Sequence, residues 1–267
     1  MLRATLKSLL SRKVRLLLSA LAVVLGVMFV TGAFVLTDTL GRSFSQLFAT
    51  AYSTFDVQVA GTAKGGRTPD GSPLRDPVPA STVDRAAAVP GVAKAQGSIL
   101  VDGARTVDNR TGKVVSTGFS PRFGANWVDG QYQLRSGQPP RAPDEVAING
   151  TLAQAGDFAV GEPIAVLTTF GQKQRYRVSG IFGYAGGRDS LAGESTVAFT
   201  TPVAQRVLLG SPDVYNSVNV TVTGGESPRV VRDRLRAALG PGYDVQTSAT
   251  LARQMSDETK RNLRFFT

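Results

Sequence analysis

The sequence predicts an α+β protein with an N-terminal transmembrane helix. An extracytoplasmic split βαβ (ferredoxin-like) core follows, with an inserted β-rich subdomain. Three observations predict it. Leu16–Thr37 is an uncharged run of 22 residues. A strand–helix–strand pattern occurs twice, within residues 55–102 and again within 211–248. Between them, residues 103–210 carry short segments of strand character and no long helical period.

The uncharged run would form a helix of roughly 33 Å, long enough for the hydrocarbon core. Water cannot satisfy backbone groups there, so a helix is the form expected. A cleaved signal peptide has a shorter apolar core, and no small-x-small cleavage site closes this one. Residues 1–15 carry Arg3, Lys7, Arg12, Lys13 and Arg15 and no acid, and the first acid is Asp38. That asymmetry orients the N-terminus toward the cytoplasm, at the plasma membrane. Leu2, Leu6, Leu9, Leu10 and Val14 share one helical side, which suits either an interfacial helix or a simple topogenic tail.

Beyond the span, residues 38–54 continue as a stalk helix with Leu40, Phe44, Leu47, Phe48 and Ala51 in one stripe. Phe55–Ala60 alternates as a strand, and Gly61–Pro79 reads as a long loop. Ser81–Ala88 is a short helix capped by Ser81 and ended by Pro90-Gly91, and Val92–Val101 is a strand. In the insertion the strands expected are Lys113–Phe119, Glu145–Ile148, Pro163–Thr169, Arg175–Ile181 and Thr196–Thr200. Asn216–Val222, a helix over Arg229–Leu239 and a strand from Tyr243 complete the second unit. Residues 249–267 are a second stalk helix, ending on Phe265-Phe266 as if leading to a second span.

Composition excludes several functions. The chain has no cysteine and no histidine, which removes Cys/His zinc sites, thiol chemistry and Ser-His-Asp catalysis. The net charge of +10 owes half its excess to the N-terminal tail: 25 basic residues face 20 acidic ones after it. No basic stripe interleaved with aromatics marks a nucleic-acid surface.

Chemical motifs fail one by one. Gly61–Thr68 nearly matches a phosphate-binding loop, but Arg67 stands in the Lys position and Pro69 to Pro73 cannot open the helix that must receive the phosphate. Gly180, Gly183, Gly186 and Gly187 do not give the dinucleotide fingerprint. Asp144 and Glu145 are adjacent, so on a strand they point to opposite faces and suit a loop edge better than acid–base work. Arg229, Arg232 and Arg236 form a solvated helix face, and Trp127 packs or sits in a turn before Asp129-Gly130. The sequence therefore predicts no catalytic, cofactor-binding or metal residue, no cofactor and no enzyme activity.

Three stretches carry a family resemblance. Ser8–Val30 is a basic entry into an apolar span with Leu25-Gly26-Val27 inside. Ser136–Phe182 runs through a Gly-containing turn, a Pro-Asp-Glu-Val strand entry, a Leu-Ala helix, a Val-Gly-Glu turn and a Tyr-Arg-Val-Ser-Gly-Ile strand. Thr200–Leu208 fits as well. Together they resemble the FtsX/MacB-like permeases of ATP-binding cassette (ABC) transport systems, including the MacB-type periplasmic core domain. The resemblance covers nearly the whole chain, through structural rather than catalytic motifs.

The resemblance implies a permease subunit without catalytic residues, truncated before its second transmembrane helix. It would couple cytoplasmic ATP hydrolysis by a separate ABC ATPase subunit to the outer domain through the two stalks. Implied partners are membrane lipid, that ATPase, a second permease in a homo- or heterodimer, and an extracytoplasmic envelope protein, with no nucleic acid. The other reading the residues allow is a single-span anchored envelope module for binding or assembly. An envelope hydrolase lacks its acid–base set.

Overall fold

The computed structural model describes residues 2–67, 73–108, 111–115, 117–118 and 121–263. The chain divides into two units, residues 1–48 with 253–267, and residues 49–252.

Helix α1 runs unbroken over Leu2–Ala51. No proline interrupts it, and its Leu17–Val35 window has a mean hydropathy of 2.4 with none of it buried. By length and composition this window is long and apolar enough to cross a membrane. The stalk stripe Leu40, Phe44, Leu47, Phe48 and Ala51, the apolar row before Arg15 and the Phe265-Phe266 end lie outside the described side chains.

The second unit begins with β1 (Val57–Gly61), followed by β2 (Ala63–Arg67), β3 (Pro73–Arg75), β4 (Val78–Pro79), α2 (Ser81–Ala87) and β5 (Val92–Ser98). The chain then enters the insertion: β6 (Leu100–Asp102), β7 (Arg105–Val107), β8 (Arg122–Asn126), β9 (Gln133–Gly137), β10 (Glu145–Asn149), α3 (Gly150–Gly156), β11 (Pro163–Leu167), β12 (Gln174–Gly183), β13 (Ser195–Phe199) and α4 (Thr201–Ala204). A π-helical turn at Gln205–Leu209 and β14 (Val214–Tyr215) lead back. β15 (Ser217–Val222), α5 (Pro228–Leu239), β16 (Tyr243–Thr247) and α6 (Ser248–Leu263) complete the described chain.

The core sheet has the order β16-β1-β15-β5, with every neighbouring pair antiparallel. With α2 and α5 between the strands, this is the ferredoxin-like split βαβ. Val57, Val59, Val218, Val220 and Val245 pack with Ala86, Val231, Leu235 and Leu239 into one core. Alternation along the strands sends valines to that face and amides to the other. There Gln246, Gln58, Asn219 and Gln96 stand in one register row, and Gln58 Nε2 donates to Asn219 Oδ1 at 3.1 Å. Pro228 opens α5, and Arg85 of α2 donates to the carbonyls of Ala238 and Leu239, which the end of α5 leaves without helical partners.

The insertion is a mixed sheet of order β6-β8-β13-β10-β12-β11-β7, with β9 also paired to β12. Its edge strands β6 and β7 are consecutive in the chain and joined only by Gly103-Ala104. One segment thus serves both ends of the sheet, which must curve to bring β6 and β7 together. Gly103 makes the corner at φ +140, where a Cβ would meet Thr169 Oγ1 at 2.6 Å. Ile148, Ile164, Val166, Val178, Phe199, Val203 and Leu208 form its main core.

Several sequence expectations are corrected. Among the described residues of Gly61–Pro79, the exposed Ala63–Arg67 pairs with Pro73–Arg75 as the antiparallel strands β2 and β3, and β4 places Val78 in the core, where a loop was expected. α2 is preceded by Ala80 and has no side-chain cap, so Ser81 lies inside the helix. The Val92–Val101 strand breaks at Ile99, where the chain leaves one sheet for the other. Lys113–Phe119 supplies a single bridge, Val114 to Val107, among its described residues. β8 and β9 are additional strands.

Candidate functional site

The candidate site is where the chain enters and leaves the strand-bearing unit. Five residues separate the end of α1 from β1, and α6 starts directly after β16. β1 and β16 are sheet neighbours, with Val57 opposite Thr247. The entrance and exit of the domain therefore share one strand pair.

Asp56 fastens that pair. Its carbonyl accepts the Ser248 amide at 2.9 Å, its own amide donates to Val220 O at 2.9 Å, and its carboxylate accepts the Val222 amide at 2.8 Å. Tyr52 and Phe55 meet edge to face at 5.9 Å, and burial raises the Tyr52 phenol above its ordinary pKa. Thr247 caps α6 by accepting the Thr250 amide at 3.3 Å.

A second seam joins the core to the insertion, where the chain crosses twice. On the way out, buried Asn126 accepts the Ile99 amide at 2.7 Å and donates to Gly97 O at 3.0 Å and Thr201 Oγ1 at 3.2 Å. On the way back, Asn216 accepts the Leu100 amide at 3.0 Å, and its own amide donates to Ser98 O. The Tyr215 ring lies over Gly97, where a Cβ would come within 2.3 Å of it.

On the other face of the inserted sheet, Trp127, Tyr132, Phe182 and Tyr184 form an aromatic cluster with ring centroids 4.4–6.0 Å apart. Trp127 both packs there and binds Asp129 Oδ1 through Nε1 at 2.9 Å. Burial chiefly, and the nearby Glu194 charge, raise the Tyr132 phenol, and burial dominates at Tyr184 too. The Glu194 carboxylate accepts the Leu191 and Ala192 amides at 3.0 and 2.7 Å. Through these amides it anchors the loop that precedes β13.

The fully buried Asn149 holds the same loop. Its Nδ2 donates to Glu194 O at 2.8 Å and Asp189 O at 3.0 Å, while its Oδ1 accepts the Thr196 amide at 2.9 Å and caps α3. Sequence reasoning missed this residue, because Asn149-Gly150 carries only a turn signal.

Each candidate motif has a structural setting. Gly61 ends β1, and residues 63–67 of the phosphate-loop-like stretch form the exposed strand β2. Glu145 opens β10 and accepts the Arg141 and Ala142 amides, so the acid pair is a loop edge. Arg232 pairs with Asp233 and Arg236 donates to Val245 O. Among the described residues, no group of three or more His, Cys, Asp or Glu could hold a metal ion.

A family model described as the MacB-like periplasmic core domain matches residues 16–238. The chain belongs to that family. The periplasmic region of MacB from Actinobacillus actinomycetemcomitans shares the fold, with a TM-score of 0.53 at 11% identity over 78% of this chain and 95% of that one. The extracellular domain of the noncanonic ABC-type transporter YknZ from Gram-positive bacteria gives 0.46 at 13% identity, over 72% of this chain and 99% of that one. A domain of a putative permease protein from Porphyromonas gingivalis gives 0.43 at 14% identity, over 72% and 86%. No curated protein matches the chain. As a member of the MacB-like family with an apolar N-terminal helix, this is a membrane-anchored permease component of the ABC-transporter type with an extracytoplasmic domain.

Proposed function

We propose that the chain couples ATP hydrolysis by a separate cytoplasmic ABC ATPase to movement of its outer domain. In this reading residues 1–15 are cytoplasmic, 16–37 cross the membrane, and 38–54 and 249–267 are stalks. Five basic residues and no acid before the span, against Asp38 directly after it, support that orientation. A second permease, identical or related, and an envelope protein complete the assembly.

One observation carries the proposal. The strand after α1 and the strand before α6 are paired, and Asp56 clamps the start of α6 to the start of β1. A displacement of either helix is thus delivered to the neighbouring strands β1 and β16 of one packed sheet, which shift as a body rather than deform.

The test starts with affinity purification from native membranes, which should retrieve an ATPase carrying a phosphate-binding loop. The chain has no cysteine, so a spin label at Ala93→Cys, an exposed position of β5, reports outer-domain movement on ATP addition. Phe44→Glu with Leu47→Glu should leave ATP turnover intact and abolish the response. A response that survives both charges sinks the stalk mechanism. Absence of any ATPase from the purified complex sinks the permease reading itself.

A further inference from the structure

The tip of the β11–β12 hairpin presents Phe170 at 64% exposure and Leu167 at 40%. These are not slack side chains. The Phe170 amide donates to Val207 O at 3.1 Å, within the π-helical turn Gln205–Leu209. The ring rests on Gly210, which ends that turn at φ +68 and would bring a Cβ within 2.8 Å of it. π-helical turns are rare and concentrate at functional positions. Here the turn and its glycine hold an aromatic ring with one side packed and the other open.

Four cations lie on the strands and turn that carry this tip. Arg105 stands opposite Leu167 in the β7–β11 register, Lys173 and Arg175 follow the hairpin tip, and Arg206 lies in the π-helical turn. All four are exposed, and none forms an ion pair among the described residues. The stretches 163–188 and 195–212 contain no acidic residue. A fixed aromatic and a leucine within an unneutralised cationic rim match an anionic interface with an apolar layer beneath its charge.

We propose that this tip docks on an anionic lipid surface, with Phe170 and Leu167 entering the headgroup layer and the four cations engaging lipid phosphates. The reading is independent of ATPase coupling.

The test uses the full chain reconstituted in nanodiscs of zwitterionic lipid and measures its capture by separate vesicles. Vesicles containing phosphatidylglycerol should float the protein, and vesicles of phosphatidylcholine alone should not. Lys173→Ala with Arg175→Ala should weaken capture roughly 30-fold, at about fivefold per basic residue. Phe170→Ser should weaken it while leaving the salt dependence in place. Near-ultraviolet circular dichroism of Trp127 checks that each variant is folded. Equal capture by both vesicle types, capture by neither, or variants that bind like the parent would overturn the proposal, as would competition only by an acidic protein.

Discussion

Asp56 and Ser248 are joined by a 2.9 Å hydrogen bond from the amide that starts α6 to the carbonyl that precedes β1. They are 192 positions apart in the chain, yet every path from α1 into the sheet and from the sheet into α6 passes through this contact and its neighbours. Asp56 adds its carboxylate to the Val222 amide and so ties in β15 as well. Three of the four core strands converge on one residue.

Asp56→Ala removes the carboxylate and leaves the half-buried Val222 amide unpaired. Hydrogen bonds to charged groups are worth about 1.5–3 kcal/mol, so a loss near 1–2 kcal/mol is expected. Asp56→Asn, which keeps an acceptor oxygen, should recover about half of it. Thermal unfolding measures the stability. Hydrogen exchange of peptides spanning 217–222 and 248–252 should rise in the alanine variant. Unchanged exchange in 248–252 would mean that the strand pair and α6 are not held by this residue.

Asn149 gives the second prediction. Both ends of its amide are used, and it is fully buried. Asn149→Asp keeps the acceptor but loses both donated bonds and puts a carboxylate against the Glu194 and Asp189 carbonyls. Asn149→Ala loses everything without adding charge. Each should cost about 2–4 kcal/mol, with aspartate at least as damaging as alanine. Equilibrium urea unfolding followed by Trp127 fluorescence reads both. An aspartate variant as stable as the parent would refute the role of the two donated bonds.

How much of this was legible beforehand follows from the residues themselves. β1 and β15 alternate valine with other residues, β10 sets Val146 and Ile148 two apart, and β12 alternates Tyr176 and Val178 with Arg175, Arg177 and Ser179, a period-2 pattern that marks a strand. β8 does not announce itself. Arg-Phe-Gly-Ala-Asn has no β-branched residue, and Gly124 is demanded by Leu208, whose side chain would lie 2.4 Å from a Cβ. Its strand identity comes from β13 and β6 on either side. The hairpin β2–β3 is hidden by glycines that read as loop, and Lys113–Phe119 misleads in the opposite direction, alternating well but finding only Val107 to pair with among its described residues. Asn149 was invisible because its partners lie 40 and 45 residues away. The membrane helix was the easiest element to read, since its environment is set by composition alone.

Glu145 supplies a pH dependence. Its carboxylate accepts the amides of Arg141 at 2.9 Å and Ala142 at 3.1 Å and pairs with Arg177. The two amide bonds chiefly, and then Arg177, hold it below its ordinary pKa. A depressed carboxylate stabilises the fold above its unfolded pKa, about 4.3, and that contribution disappears as pH falls through the folded value. Glu145→Gln should therefore be less stable than the parent at neutral pH by about 1 kcal/mol. The difference should shrink below about pH 4 and vanish once the parent's Glu145 is protonated. Thermal unfolding of both proteins across the acid range measures this. A gap that stays constant to the lowest pH would assign the stabilisation to shape alone, and one that widened in acid would reverse the sign of the linkage.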